Sequence, residues 1–420
     1  MVEFVNRDPP RIAPQPWMAE PATQIVLAAL AAGGVEARFV GGAVRDALLG
    51  RPTPGSSPRA DIDVATPAPP ERIIELLEKS GIKVVPTGLA HGTVTAIVPP
   101  RQFEITTLRR DVETYGRRAR VAFDADWVAD AARRDFTINA IFLAPDGSID
   151  DPVGGLADLR AGRVRFVGDP ATRIAEDVLR LLRYYRFEAC FGTGVGDPEA
   201  RAACRAAAHL LPTLSGERVA QELVKLLETP DPVAILQMMQ NDGVLAVVLP
   251  EARRLDRLRR LIEIEPTADP LRRLAALIEV DGEGAVALAA RLHFSNAWRD
   301  RLHSLAPPWQ FDPQGDARAQ RRALYQLGAE RYRDIALLRA AQGDMSRSRL
   351  AELLDLAGKW TPPRFPLVGR DVTALDIPPG ERVGQLLAAV CEWWEDGDFT
   401  PDRAACLAYL RELAIGVPPA

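Results

Sequence analysis

Phe39-Val40-Gly41-Gly42-Ala43-Val44-Arg45-Asp46-Ala47-Leu48-Leu49-Gly50 and, after a Pro/Ser/Gly-rich loop, Asp61-Ile62-Asp63-Val64-Ala65-Thr66 decide how the rest of the chain is read. The first run reads as a strand entering a glycine turn and a short helix. In the second, side chains alternate between the faces of a strand, so Asp61 and Asp63 share one face while Ile62 and Val64 enter a core. Two neighbouring carboxylates repel each other unless a cation sits between them. Mg²⁺, with its preference for hard oxygens and phosphates, suits the place. The glycine turn and the helix start bring backbone N–H groups nearby, which suits a phosphate chain. Such an acid pair alone fits a surface strand equally well. The glycine turn with Arg45 shifts the balance, because that arginine can hold a triphosphate or else pair with Asp46. Glu104, on the polar face of an expected strand Gln102–Leu108, is the candidate third carboxylate of a two-metal site; a solvated strand position is the alternative.

Outward from this stretch, the chain is expected to be α+β in its first part and helical afterwards. Residues 1–20 are Pro-rich and read as a loose arm. Pro21–Ala32 and Glu71–Ser80 read as helices. Lys83–Pro86, His91–Val98 and Gln102–Leu108 read as strands, so 21–159 forms a head with a small mixed sheet. From there apolar residues recur at helical spacing, as with Ile174, Val178, Leu181 and Tyr185. The expected division is a helical neck over 160–230, a helical body over 231–360 and a helical tail over 361–420, the last entered through Thr361-Pro362-Pro363.

The chain has 420 residues and a formal net charge of -5, so nucleic-acid contact has to come from local basic patches. Its basic residues are nearly all Arg, which suits bidentate phosphate and base contacts or reflects compositional bias alone. The four cysteines form no CxxC pair and sit in apolar helical patterns, as reduced buried thiols do. The histidines lack metal-ligand spacing, so zinc is not expected. No run is apolar and long enough for a bilayer, and a cytoplasmic protein without a membrane partner is expected. Oligomeric state is not legible.

Two further constellations carry chemistry. In Arg133-Arg134-Asp135-Phe136-Thr137-Ile138-Asn139-Ala140, two arginines beside an acid can hold phosphate oxygens and a ribose hydroxyl, or else open a helix that Asp135 or Thr137 caps. In Glu176-Asp177-Val178-Leu179-Arg180-Leu181-Leu182-Arg183, Asp177 and Arg180 are neighbours at i, i+3 on one helix face. They can form a plain ion pair. They can also read a base: a carboxylate accepts from an exocyclic amine while a guanidinium donates to a ring nitrogen. Cytosine and adenine present that amine-and-acceptor pattern, whereas uracil and guanine present the reverse. Between the constellations, Arg109 to Arg120 reads as a charged mobile loop or a solvated β-hairpin. The body arginines Arg253, Arg254, Arg257, Arg259 and Arg260 either touch RNA phosphates or form a solvated helix face.

Together these residues resemble the class II tRNA nucleotidyltransferase and bacterial poly(A) polymerase family of polymerase-β-like nucleotidyltransferases. Gly41-Gly42 to Asp46 with Asp61 and Asp63 match its metal motif, and Arg133 to Asp135 its ribose motif. Asp150-Asp151-Pro152-Val153-Gly154-Gly155 match its hinge-side turn. Glu176, Asp177 and Arg180 match its amino-acid template, and Ser215-Gly216-Glu217-Arg218 its neck-helix motif. Pro366 to Asp371, with Pro379-Gly380 and Gly384, resemble the tail of some CCA-adding members. The resemblance implies that Asp61 and Asp63 carry two Mg²⁺. It implies that Gly41, Gly42 and Arg45 lie at the triphosphate and that Arg134, Asp135, Glu176, Asp177, Arg180 and Arg183 surround the nucleotide. The implied reaction is template-independent addition of CCA from CTP and ATP to the tRNA acceptor 3′ end, with pyrophosphate release. Poly(A), CC-only or A-only addition, or an inactive RNA-binding relative, are the alternatives. The Thr53–Ala60 loop is longer, and Arg117-Arg118-Ala119-Arg120 lacks the proline, that family members commonly show.

Overall fold

The computed structural model describes residues 10–51, 62–115, 118–123, 125–309 and 311–416, with the backbone alone at 90, 110–115 and 118–123. Asp61 and the Thr53–Ala60 loop therefore lie outside the described residues. The chain forms two compact units, Met1–Pro250 and Glu251–Ala420.

The first unit opens with α1 (Pro21–Ala32), β1 (Arg38–Val40), α2 (Gly42–Leu48), β2 (Ile62–Thr66) and α3 (Pro70–Lys79). Next come β3 (Lys83–Gly88), β4 (Thr93–Val98), β5 (Arg101–Thr107), β6 (Arg109–Tyr115), β7 (Arg118–Phe123), α4 (Trp127–Ala132), β8 (Phe142–Leu143) and β9 (Ile149–Asp150). Seven strands make one mixed sheet in the order β3-β4-β5-β2-β1-β8-β9, in which only β2 and β5 pair parallel. The architecture is the α+β head that the sequence predicts. Phe103 and Ile105 on β5, and Ile62 and Val64 on β2, are buried, as their alternation demands. β6 and β7 form a separate antiparallel hairpin, so the charged run from Arg109 is a hairpin along its backbone.

One expectation is corrected at the start of the chain. Residues 10–20 are not a loose arm. Trp17 and Met18 are buried, Trp17 packs edge-on against Phe39, and Glu20 pairs with the buried Arg101 at 2.7 Å. Proline content hid this anchoring, because a few aromatic and charged contacts leave no periodicity to read.

The unit continues through α5 (Gly155–Arg160), α6 (Pro170–Glu176), α7 (Leu179–Phe191), α8 (Pro198–Ala207), α9 (Gly216–Leu227), α10 (Val233–Asn241) and α11 (Val244–Val248). The second unit is helical: α12 (Leu255–Ile262), α13 (Pro270–Leu277), α14 (Gly282–Arg291), α15 (Asn296–Leu305), α16 (Ala317–Leu327), α17 (Ala329–Gln342), α18 (Arg347–Lys359), α19 (Gly369–Thr373), α20 (Glu381–Asp396) and α21 (Arg403–Ile415). Within it Arg257 is buried and donates to the carbonyls of Ala275, Ala276 and Ile278, so it closes the C-terminus of α13 rather than facing RNA. Arg260 likewise donates to the Ala341 carbonyl, and Arg254 pairs with Asp256 and Glu279.

Candidate active site

The glycine turn and the acid strand meet by a close approach. Gly41 has φ +75°, a left-handed backbone that glycine adopts without penalty. A Cβ built on it would stand 2.8 Å from Asp63 Oδ2, so the Asp63 carboxylate lies directly against the turn. Parallel pairing puts Asp63 opposite Glu104, and their matching register turns both side chains to the same face of the sheet. Hard oxygens at this spacing fit a divalent cation. Among the described residues no three acidic, His or Cys side chains gather at one point, and Asp61, which would stand two positions before Asp63, lies outside them. Asp63 and Glu104 are thus the described part of the candidate metal set.

Arg45 is one turn along α2 from Gly42. Its Nε and Nη2 reach Asp46 at 3.0 and 2.9 Å, its Nη1 reaches Asn139 Oδ1 at 2.8 Å, and its guanidinium lies 3.9 Å over the Phe191 ring. Burial lowers its pKa, opposed by Asp46. Arg45 thus makes the pairing with Asp46 that the sequence offers, and it joins the glycine turn to the 137–139 turn and to α7.

The run 133–140 follows the end of a helix, since α4 stops at Ala132, and only a short 3-10 turn, Thr137–Asn139, opens within it, with no side-chain cap. Both arginines are held by one acid the sequence did not single out. Asp130, 1% exposed at its side chain, receives Arg133 at 2.6 Å and Arg134 at 2.9 Å. Asp135 accepts from Arg183 Nη2 at 2.6 Å and from Asn139 Nδ2 at 3.2 Å. Burial by itself pushes the Asp135 carboxyl up; the Arg183 charge and hydrogen bonds outweigh it and hold the group below the usual carboxylate range. Behind this segment, Gly155 packs so tightly that a Cβ would fall 2.0 Å from the Thr137 carbonyl oxygen, while Asp151 accepts from the N–H groups of Gly155 and Leu156 at the start of α5.

The third constellation departs from its expected pairing. The helix breaks at Asp177, whose φ of -151° and ψ of 106° are extended. Asp177 and Arg180 therefore do not share one continuous helical face, and they are not paired with each other. Arg180 bonds through Nη1 to Glu176 and to the Arg173 carbonyl. Asp177 caps Leu179 N–H at 3.1 Å and takes both oxygens' contacts from Arg218 Nη2, at 2.7 and 3.0 Å. Arg218 comes from α9, and Glu222 on the same helix, one turn later, accepts from Arg186 and lies 3.8 Å from Arg183. A helix face of α9 thus braces the segment that carries Asp177 and Arg183.

Similarity to known proteins bears on this arrangement. The Poly A polymerase head domain matches residues 37–165, and the probable RNA- and SrmB-binding site of polymerase A matches 197–255. Mouse mitochondrial CCA tRNA nucleotidyltransferase 1 is 33% identical over 400 residues, which covers 90% of this chain and 87% of that protein. The chain belongs to the CCA-adding enzyme and poly(A) polymerase family. The CCA-adding enzyme of Anoxybacillus flavithermus is 41% identical over 207 residues, 49% of each chain. The crystal structure of Bacillus stearothermophilus CCA-adding enzyme in complex with CTP matches with a TM-score of 0.76 at 28% identity, covering 94% of this chain and 98% of that one.

Within this family member, the sequence points to Gly41, Gly42, Arg45, Asp61, Asp63, Glu104, Arg134, Asp135, Glu176, Asp177, Arg180 and Arg183, of which Asp61 lies outside the described residues. The fold brings Asp63 to Gly41 and to Glu104, Asp135 to Arg183, and Arg45 to Asn139. It adds Asp130, Arg173 and Glu222, which reading by motif passed over. An acid three and four residues before an arginine pair on a helix was the available signal for Asp130. For Glu222 there was none, because its partners are 36 and 39 residues away.

Proposed function

We propose that this protein is the nucleotidyltransferase that adds CCA, from CTP and ATP, to the 3′ end of tRNA without a nucleic-acid template. The likeness to a CCA tRNA nucleotidyltransferase over 90% of the chain carries the reading. The arrangement around Asp177 and Arg180 supports it. Arg180 uses only Nη1 for protein contacts, and its Nε–H and Nη2 have no acceptor among the described residues. Those donors can reach a base acceptor, while Asp177, held by Arg218, can accept from an exocyclic amine. C and A satisfy both.

The family uses divalent metal ions. We assign Mg²⁺ to Asp61 and Asp63, with Glu104 paired opposite Asp63; these residues would hold the ion, which would supply acidification of the RNA 3′-OH and charge neutralisation at the leaving pyrophosphate. The turn at Gly41-Gly42 offers backbone N–H groups to the triphosphate. Arg134, beside Asp135, faces the phosphates and ribose, and Arg183 fixes Asp135 for that contact. The chain contributes alignment and charge, not a covalent nucleophile. We divide the work among a head (21–159), neck (160–230), body (231–360) and tail (361–420).

We place the protein in the cytoplasm: its four cysteines are unpaired, which suits a reducing compartment. The mouse relative is mitochondrial by name. No helix of the described residues is long and apolar enough to cross a membrane.

The deciding experiment offers the purified protein a tRNA ending before CCA, with labelled CTP, ATP or both. Addition of C, C and A followed by a stop is the expected result. Long A tracts on unrelated RNA would overturn it.

A further inference from the structure

Two charges, Glu176 and Arg173, meet beside Arg180. Glu176 Oε2 accepts from Arg180 Nη1 and forms an ion pair with Arg173 Nη1 at 3.0 Å. The Arg173 carbonyl accepts from the same Arg180 nitrogen at 3.1 Å. Arg173 and Glu176 close the last turn of α6, Arg180 opens α7, and the chain bends at Asp177 between them. Arg173, Glu176 and Arg180 are all largely shielded, with side chains 18%, 17% and 16% exposed. The Arg173 Nε–H is buried with no acceptor among the described residues.

A carboxylate beside a single arginine commonly takes it by two parallel N–H groups, because the planar fork matches both oxygens. That does not happen here. Glu176 shares one oxygen between two guanidinia, and its bond to Arg180 is confined to Nη1. The second guanidinium, on the same Glu176 oxygen, reduces the field with which Glu176 would draw Arg180 towards itself.

We propose that Arg173 is a positioning residue for base selection: by sharing Glu176, it keeps the Nε and Nη2 edge of Arg180 turned to the nucleobase. The inference rests on the reading of Asp177 and Arg180 as the base readers. Without the Arg173 side chain, Glu176 captures the fork of Arg180. The site then loses the donors that match C and A, and with them much of its preference over U.

The test uses the full-length protein on tRNA lacking CCA, with CTP, ATP and UTP offered separately. In Arg173→Met, kcat/KM for CTP and ATP is expected to fall by about tenfold or more, the size of one lost charged hydrogen bond, with UTP much less affected. Arg173→Lys, which retains a cation for Glu176, is expected to restore most of the discrimination. Adding Glu176→Gln to Arg173→Met is expected to recover part of it as well, because the capturing charge is gone; a simple packing defect would not recover this way. Should Arg173→Met fold poorly, as judged by its thermal midpoint, Arg173→Gln is measured in its place. Unchanged CTP/UTP discrimination in a folded, uncharged variant overturns the proposal. Wild-type protein that adds U as readily as C would instead overturn the base-reading assignment of Asp177 and Arg180.

Discussion

Arg218 on α9 reaches both carboxylate oxygens of Asp177, at 2.7 and 3.0 Å, across 41 residues of sequence. On the proposed reading of Asp177, the pair makes α9 part of the base site: Asp177 sits in a non-helical break, and Arg218 sets the direction of its carboxylate. Arg218→Lys keeps the charge but loses the planar reach. We expect kcat/KM for CTP and ATP to fall together by about 10- to 100-fold, in line with the loss of one charged contact. The thermal midpoint should fall little, because the lysine keeps a positive charge facing Asp177. Steady-state kinetics with each nucleotide checks this, and a loss confined to one nucleotide would contradict it.

The Asp135–Arg183 pair gives a pH signature. The folded carboxyl is held below its ordinary value by Arg183, against the opposing effect of burial. An acid with a depressed folded pKa contributes stability that is complete above its unfolded pKa of about 3.9 and is lost as pH falls through the folded value. Wild type should therefore lose this contribution only below about pH 4. Asp135→Asn, which strands the Arg183 charge, should lower stability at pH 7 by about 3 kcal/mol. It should also flatten the acid limb of a denaturation series by up to about 1.4 kcal/mol per pH unit.

Gly155→Ala should destabilise the head, because its new methyl would press into the Thr137 carbonyl at 2.0 Å. We expect a loss of about 1–3 kcal/mol in chemical unfolding. Activity should fall further than stability alone explains, since Thr137 belongs to the turn that places Asn139 and Asp135.

At the acid strand, Gly41→Ala is penalised twice, by a left-handed backbone and by contact with Asp63. Displacing the carboxylate we assign to the metal should lower kcat by about 100-fold. The affinity for tRNA, measured by filter binding, should hardly change. A matching loss of tRNA affinity would show that the turn supports the fold more broadly than the metal site.

In the body, Arg257→Met should act on stability and not on RNA. Burial, with the nearby Arg254, pushes the Arg257 guanidinium down to about 10, and its Nε and Nη2 serve carbonyls. Removing it leaves three helix-end acceptors bare, at a cost of about 2–4 kcal/mol. The folded variant should bind tRNA as wild type does.

Local pattern carried much of what could be read beforehand. Pro21–Ala32 was legible as a helix to the residue, and β5 by its strict alternation, because burial on one face imposes a period of two on strands and 3.6 on helices. By contrast, α13 stops at Leu277, where Arg257 takes its terminal carbonyls. No pattern within the helix itself announces a cap that arrives from another helix.

The site divides the same way. Sequence alone determined which groups are present: a glycine turn, acids two residues apart, an arginine pair beside an acid, and Asp177 and Arg180 at their spacing. These are covalent facts about order and chemistry, and they sufficed to indicate a nucleotide-handling family. Only tertiary structure decided who holds whom. Arg45 turned inward to Asp46 and Asn139, Asp177 went to Arg218 and away from Arg180, and Arg180 was left one free edge by Glu176 and Arg173. Charged side chains are long and their attraction is not periodic, so their partners are chosen by whichever elements packing brings within reach. Backbone pattern cannot encode that choice, because it is made between helices and strands that are distant along the chain.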